Sequence, residues 1–410
     1  MKVIVVGAGI GGLATAIALA QAGHDVEIYE SSAFSNEVGA AVGLGPNATR
    51  LLKNWGCDLE LLHSVQINRF AEYRGGKAEP FISDELKFAL ESFEDKFHAV
   101  HRRDLHDCLR RLAEKTAKLH LKSKVDSVDP IAGVVYFQDG SFVQGDLIVG
   151  ADGLHSRTVQ AVVETGRDKV NLNQNCFRFL IPLEKLENNP ATAHLVDAMK
   201  STLLITTNTD RRIILYPCRS GTLFNCAALY PANETHQDSV TDSSWLNSAD
   251  VNELVARFSS VEPAMVEMCK MAEDLKLWQL LTRDPPPSFV KGRLALVGDA
   301  AHPMPPHQAQ GAAQAIEDAA ALGAVFSGGT TPSQVEDLLQ VYNEARYIHA
   351  VTIAIMSRVF NERFKETAGT LKRFLPDASM PESSLLFAWN SRPDDQVKKI
   401  LALRKEQKAA

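Results

Sequence analysis

Hydrophobic positions change their period several times along the chain, and each change marks an element. Lys2–Val6 is a lysine followed by an unbroken apolar run, the pattern of a strand buried on both faces. Apolar residues then recur at helical spacing over Gly11–Ala22. A second short run at Val26–Glu30 completes a strand–helix–strand unit. Residues 47–62 predict a helix broken at Gly56, and Asp104–Leu119 predicts another. Short strands near 120–128 and 133–138 lead to a buried strand at Asp146–Gly150. Between Cys176 and Leu229 the pattern becomes a series of strand-like runs, CFRFLIP, STLLITT, RRIILYP and TLFNCAALY, and Asn-Thr-Asp at 208–210 predicts a hairpin between two of them. Thr241–Leu281 returns to helical spacing. The DPPP stretch at 284–287 precedes a strand at Arg293–Val297, and long helices are expected at Gln310–Phe326 and Val335–Phe364.

The order of these elements predicts an α/β fold, a doubly wound nucleotide-binding domain interrupted by a β-rich insertion and followed by a helical tail. Its 410 residues leave room for two or three domains. A net charge of −7 lacks the concentrated basic face that nucleic acid requires. No apolar stretch is long enough to insert in a membrane, and the start MKVIVVGAG passes into a glycine turn without a cleavage-site pattern. The basic end KKILALRKEQKAA reads as a solvated helix. Cysteines 57, 108, 176, 218, 226 and 269 form no C-x-x-C pair and no zinc-spaced cluster with histidine, so reduced thiols, a cytoplasmic setting and no metal are expected.

Three motifs carry chemistry. The first is GAGIGG at 7–12, between a strand and a helix. Gly7 permits the tight turn, Gly9 lets a pyrophosphate approach the backbone, and Gly12 lets helix and strand pack closely. Glu30 ends the second strand, where a carboxylate can take ribose hydroxyls. By itself this motif does not separate FAD from NAD. The second is VGADGLHSR at 149–157: Asp152 at the carboxyl edge of a strand is either a ligand-facing acid or part of an ordinary turn capped by Ser156. The third is RLALVGDAAHPMPPHQAQGAAQAIED at 293–318, in which Asp299 can bind a ribitol or pyrophosphate hydroxyl. The long helix starting near Gln310 offers unpaired N–H groups to an anionic ring edge.

Taken together and in this order, the three motifs resemble those of the single-component flavin aromatic hydroxylases, which include the p-hydroxybenzoate and salicylate hydroxylases. HRRDL at 101–105 is similar to the family's H-R-x-D-L, and YNEAR at 342–346 and Trp389 fit its salicylate-hydroxylase-like branch. The chain departs from many relatives in having Ala309-Gln310-Gly311, followed by Ala312, where they have Gly-Gln-Gly. The resemblance implies a Rossmann-like FAD-binding domain of the GR2 type over 1–70, 99–170 and 284–345. A substrate-binding β-sheet domain would span 71–98 and 171–283, with a C-terminal helical segment over 346–410. It implies FAD held by Gly7, Gly9, Gly12, Glu30, Arg102, Asp152, Asp299, Gln310, Gly311 and Ala312.

The resemblance also implies the chemistry. NADH or NADPH reduces the flavin, O2 adds at its C4a, and the hydroperoxide delivers oxygen to an aromatic ring. With only one G-x-G-x-x-G, the nicotinamide has no domain of its own, so it docks transiently and the flavin moves to meet it, over the loop from Pro303 to Gln310. The phenolic proton, with a pKa of about 10, calls for a base or cation nearby. Tyr216 and Arg178 match family positions facing the pocket, the first as a hydrogen-bonding partner of a substrate oxygen or a core tyrosine, the second as holder of a carboxylate or phenolate or an exposed strand arginine. His307 is the polar residue expected over the ring, and His302 is expected to hold its loop. Arg211, Arg212 and Arg219 are expected in solvent. The partners expected are a small aromatic substrate, O2 and NAD(P)H, with the chain acting as monomer or homodimer. Two rival readings remain, an FAD reductase of the geranylgeranyl reductase type and a non-catalytic flavin-binding module.

Overall fold

The computed structural model describes residues 1–33, 40–74, 84–163, 169–208, 210–232 and 249–409. Strand Lys2–Val6 lies at the centre of a six-stranded sheet, paired in parallel with Asp25–Tyr29 on one side and Leu147–Gly150 on the other. Leu294–Leu296 and Ala117–His120 extend the parallel array outward, and the short Val290–Lys291 closes one edge antiparallel. Val3, Ile4 and Val5 are fully buried because both faces of the sheet are covered, which is why the strand reads as an apolar run after Lys2. Helices Ile10–Gln21 and Gly311–Val325 pack against each other, with Gly11 meeting Ala315 closely enough that a Cβ would sit 3.3 Å from the alanine methyl.

A second six-stranded sheet runs in the order Glu273–Arg283, Lys169–Pro182, Leu223–Pro231, Arg211–Cys218, Thr202–Asn208 and Arg69–Arg74. All its pairs are antiparallel except the last. One face packs its phenylalanines, leucines and Tyr230 under helices Val251–Arg257 and Pro263–Lys270. The other face carries Ile205, Ile214, Tyr216 and Ala227 and looks toward the nucleotide-binding half and the C-terminal segment. Trp389, fully buried in helix Ser384–Trp389, lies against Phe93 and Phe97 beside this face.

Several sequence expectations need correction. Of the helix expected over 47–62, only Pro46–Asn54 forms, since Gly56 takes a φ of +82° and the chain turns after it. The pattern at Asp104–Leu119 divides into helix Arg102–Ala113 and the outer strand Ala117–His120. Within the stretch expected to be helical up to Leu281, Glu273–Arg283 is a strand, paired along most of Lys169–Pro182. Residues 241–248 of that stretch lie outside the described residues, as does Thr209 of the expected hairpin, although its strands do pair, Asn208 opposite Arg211. The last long helix stops at Met356; the chain continues through a turn into the 3-10 segment Asn361–Thr367.

Candidate active site

The glycine-rich turn is closed on two sides and open on the third. A Cβ on Gly7, whose φ is +98°, would lie 2.6 Å from the Ala151 carbonyl oxygen, and one on Gly12 would lie 2.0 Å from the Gly7 oxygen. Nothing lies within 4 Å of a Cβ placed on Gly9. Gly9 caps helix Ile10–Gln21 with no side chain and no acid in the first turn, so the N-terminal N–H groups keep their capacity for an anion. Glu30 receives the Ala8 N–H at 2.8 Å and the Ser32 N–H at 2.7 Å, one on each oxygen. That leaves lone pairs on a half-buried carboxylate for further hydroxyl donors.

Asp152 is differently employed. Its carboxylate accepts from the Ser156 and Thr158 hydroxyls and from the Arg157 and Thr158 N–H groups, at 2.6–3.0 Å. The side chain is thus committed to its own turn. Asp299 combines two properties: its surface is accessible to solvent, yet burial raises its carboxyl above the usual range against the pull of His302, Arg102 and Arg283. Asp299 thus faces a cleft at the carboxyl end of strand Leu294–Leu296. Arg102, at the start of helix Arg102–Ala113, is half-buried and close enough to act on that carboxyl.

Helix Gly311–Val325 begins beside the same cleft. Gln310 precedes it with no side-chain cap, the first turn contains no acid, and Gly311 and Ala312 stay partly exposed. The Gln310 side chain turns inward instead, its oxygen accepting from Asn47 at 3.1 Å. Ala309 has φ +51° and ψ +35°, the left-handed conformation that favours glycine, so the loop carries backbone strain at this alanine.

Behind this helix lies a buried charge network assembled from residues far apart in the chain. Asp318 accepts the Gly298 N–H at 2.9 Å, His302 Nε2 at 2.7 Å and Arg346 Nε at 2.8 Å. Glu317 accepts Arg346 Nη1, Asn47 Nδ2 and Ser391 Oγ, each at 2.6 Å. Burial alone would raise the Asp318 carboxyl, but His302 and Arg346 bring it below its usual range. His302 therefore holds its loop. Arg283, which sequence reasoning passed over, donates to the carbonyls of Leu154, Asp299 and Ala300 and so ties the second and third motifs together. Its signal was an arginine just before the DPPP stretch, which identifies no partner.

Across the cleft stands the second sheet. Tyr216 is buried and donates its hydroxyl to the Ala41 carbonyl at 2.9 Å, while its cross-strand partner Asn225 accepts the Ala41 N–H at 2.9 Å. The two side chains thus clamp both polar groups of one backbone residue, and toward a ligand Tyr216 keeps only accepting capacity. Arg178 lies over the Trp278 ring at 4.7 Å and is close enough to act on the Tyr216 phenol. His307 places Nε2 2.9 Å from the Gln174 amide oxygen and its ring edge-on to Phe360 at 4.7 Å. Burial, then Arg212, lowers its pKa to about 4, against an opposing Glu362, and its Nδ1 has no partner among the described residues. A neutral imidazole with a bare nitrogen accepts a hydrogen bond but is a weak base.

Arg212 is a correction to the sequence reading. It is buried, paired in bidentate fashion with Glu362 and stacked 3.9 Å over Phe360, because its strand runs beneath the C-terminal segment. Arg219 pairs with Asp104. An open depression of about 500 Å³ between Arg211, Glu253, Arg257 and Ser260 lies on the helix-covered side of the sheet, away from this cleft. Among the described residues no group of three or more His, Cys, Asp or Glu is arranged to hold a metal, and no helix is long and apolar enough to cross a membrane.

Comparison with known proteins decides the family. The family described as "FAD binding domain" matches residues 1–357. The chain belongs to it. An FAD-dependent monooxygenase of Aspergillus candidus is 35% identical over 398 residues, covering 93% of this chain and 90% of the relative. Hispidin-3-hydroxylase of Neonothopanus nambi is 34% identical, covering 87% of each. Among solved structures, a salicylate hydroxylase substrate complex superposes with a TM-score of 0.77 at 23% identity, covering 97% of both chains, and shares the fold. The enzyme is an FAD-dependent monooxygenase of the aromatic hydroxylase type, and the relatives lend no support to a reductase. The residues fit FAD: the Gly9 opening, the two uncapped helix N-termini, and the accessible Glu30 and Asp299 supply the donors and acceptors that a dinucleotide and its ribityl chain require.

Proposed function

We propose that this enzyme hydroxylates a phenolic substrate, carboxylated or not, with NADH or NADPH and O2, in the cleft between the two sheets. One observation carries the reading: the uncapped start of helix Gly311–Val325 lies on the opposite side of the cleft from a sheet face bearing Tyr216 and Arg178. Bound there, FAD would accept a hydride and activate O2. Gly7, Gly9 and Gly12 would seat its pyrophosphate, and Glu30 its ribose. Asp299 and Arg102 would meet the ribityl side, and the N–H groups at Gln310, Gly311 and Ala312 would stabilise negative charge on the ring edge. Asp152 would contribute by shaping the turn that its carboxylate closes.

Arg178 would hold the substrate's anionic oxygen, since a guanidinium lowers the cost of a phenolate without having to take up the proton itself. His307, neutral and with Nδ1 free, would accept the phenolic hydrogen bond. Phe360 and Met304 would exclude water. In this reading residues 1–70, 99–170 and 284–345 form the FAD-binding domain, and 71–98 and 171–283 form the substrate domain. The free thiols suit a cytoplasmic location. The test is a screen of phenols and phenolic acids for stimulated NAD(P)H oxidation with uptake of 18-O from labelled O2. Stimulated oxidation without label in any product would reduce the assignment to an oxidase-like side reaction.

A further inference from the structure

Cys57 and Cys108 face each other with their sulfurs 2.9 Å apart, both as free thiols. Cys57 follows the Gly56 turn at the end of helix Pro46–Asn54 and is buried at 1% exposure; Cys108 lies in helix Arg102–Ala113 and is partly exposed. A covalent disulfide requires a separation near 2.05 Å, so a closure of about 0.9 Å suffices, within the freedom of the turn after Gly56. No role in the cleft occupies either thiol.

We infer that Cys57 and Cys108 are a site of reversible disulfide formation, cross-linking the two helices across 51 residues of sequence when the enzyme meets hydrogen peroxide. The reaction balances without another partner. The Cys108 thiolate attacks one peroxide oxygen, giving a sulfenic acid and releasing hydroxide. The Cys57 thiol then displaces water from that sulfur, so the two thiols lose two electrons and two protons and the peroxide becomes two waters. Cys108 is the attacking sulfur for two reasons. It is the accessible one, and its hydrogen bond with Cys57, together with Arg111, holds its thiol below the usual range, while Cys57 is raised. The remaining four cysteines serve as internal controls. Cys176 and Cys226 are fully buried and raised by burial, and burial pushes Cys218 and Cys269 up to about 12.

The experiment uses the whole enzyme, reduced and then exposed to hydrogen peroxide, alkylated after unfolding and digested for peptide mass spectrometry. The expected result is a cross-linked peptide pair containing Cys57 and Cys108, about 2 Da lighter than the two separate thiol peptides and restored by dithiothreitol, with the other four cysteines alkylated. In C108S the cross-link should vanish and Cys57 should stay alkylatable, because the buried sulfur cannot attack peroxide on its own. The proposal is overturned if both residues remain alkylatable in the wild type, or if Cys108 proceeds to sulfinic acid without a cross-link. The readout is mass, so it stands apart from any result on the substrate.

Discussion

The buried charges and the buried neutral polar groups around the cleft are treated differently. Behind helix Gly311–Val325 every charge is matched: Arg346 meets Glu317 and Asp318, and those carboxylates also serve Asn47, His302, Ser391 and the Gly298 N–H. Neutral buried atoms are left over instead, among them Asn47 Oδ1 and His302 Nδ1 beside that network, His307 Nδ1 and Gln308 Nε2 in the loop before the helix, and Asn225 Nδ2 on the sheet. A saturated network in a low-dielectric interior fixes a geometry, while an unmet donor or acceptor is costly until something binds it. The charge network is thus built to hold one shape, while the loop and the sheet that face the cleft keep neutral atoms for a ligand to satisfy.

The sharpest way to break this contrast is R346M. It strands two buried carboxylates, at a cost of about 3–5 kcal/mol, and the denaturation midpoint should drop accordingly. A loss under about 1 kcal/mol would show the network to be hydrated and the wall pliable. Acid comes next. His98, His307 and His349 are each lowered to about 4, burial being the main cause. In the unfolded chain they take protons near pH 6.5, in the folded chain only near 4, so the unfolded state binds more protons in between. Stability should be fully present above about pH 6.5 and decline as the pH falls toward 4, which urea titrations across that window would follow; a flat profile would mean that these imidazoles protonate freely in the folded state.

Glu30→Ala tests the cofactor wall directly, removing an acceptor of charge-assisted bonds worth about 1.5–3 kcal/mol, so the FAD dissociation constant should rise roughly tenfold or more while the fold persists. An affinity within twofold of wild type would show Glu30 serving only the Ala8 and Ser32 N–H groups. On the other wall, Tyr216→Phe releases one end of the Ala41 clamp, at about 1 kcal/mol of stability. Product formed per NAD(P)H should fall with FAD content unchanged; unaltered yield would confine Tyr216 to packing. The smallest effect is expected of Ala309→Gly, which relieves a left-handed alanine and should gain up to about 1 kcal/mol in thermal or chemical denaturation. A loss would show that the alanine methyl packs favourably enough to outweigh the strain.

Local pattern determined much of this molecule. The apolar run within Lys2–Val6, the glycines of 7–12, and the acid at Glu30 are read from neighbours in the chain, because a buried parallel strand and a phosphate turn impose their demands on consecutive residues. The strand series read between Cys176 and Leu229 was legible for the same reason. What failed was local pattern without local cause: Glu273–Arg283 carries helix-compatible spacing but becomes a strand because Lys169–Pro182 offers it an edge. Arg212 stands near a turn but is buried because a segment 150 residues away supplies Glu362 and Phe360. The occupation of Asp152 by its own turn, the Tyr216–Ala41 bond and the meeting of Cys57 with Cys108 likewise depend on directions and distances that only the packed chain fixes. Sequence determined which chemistry the chain carries, since residue types are local; the tertiary structure decided which of those groups are spent on holding the fold and which remain free, since that depends on partners brought from far along the chain.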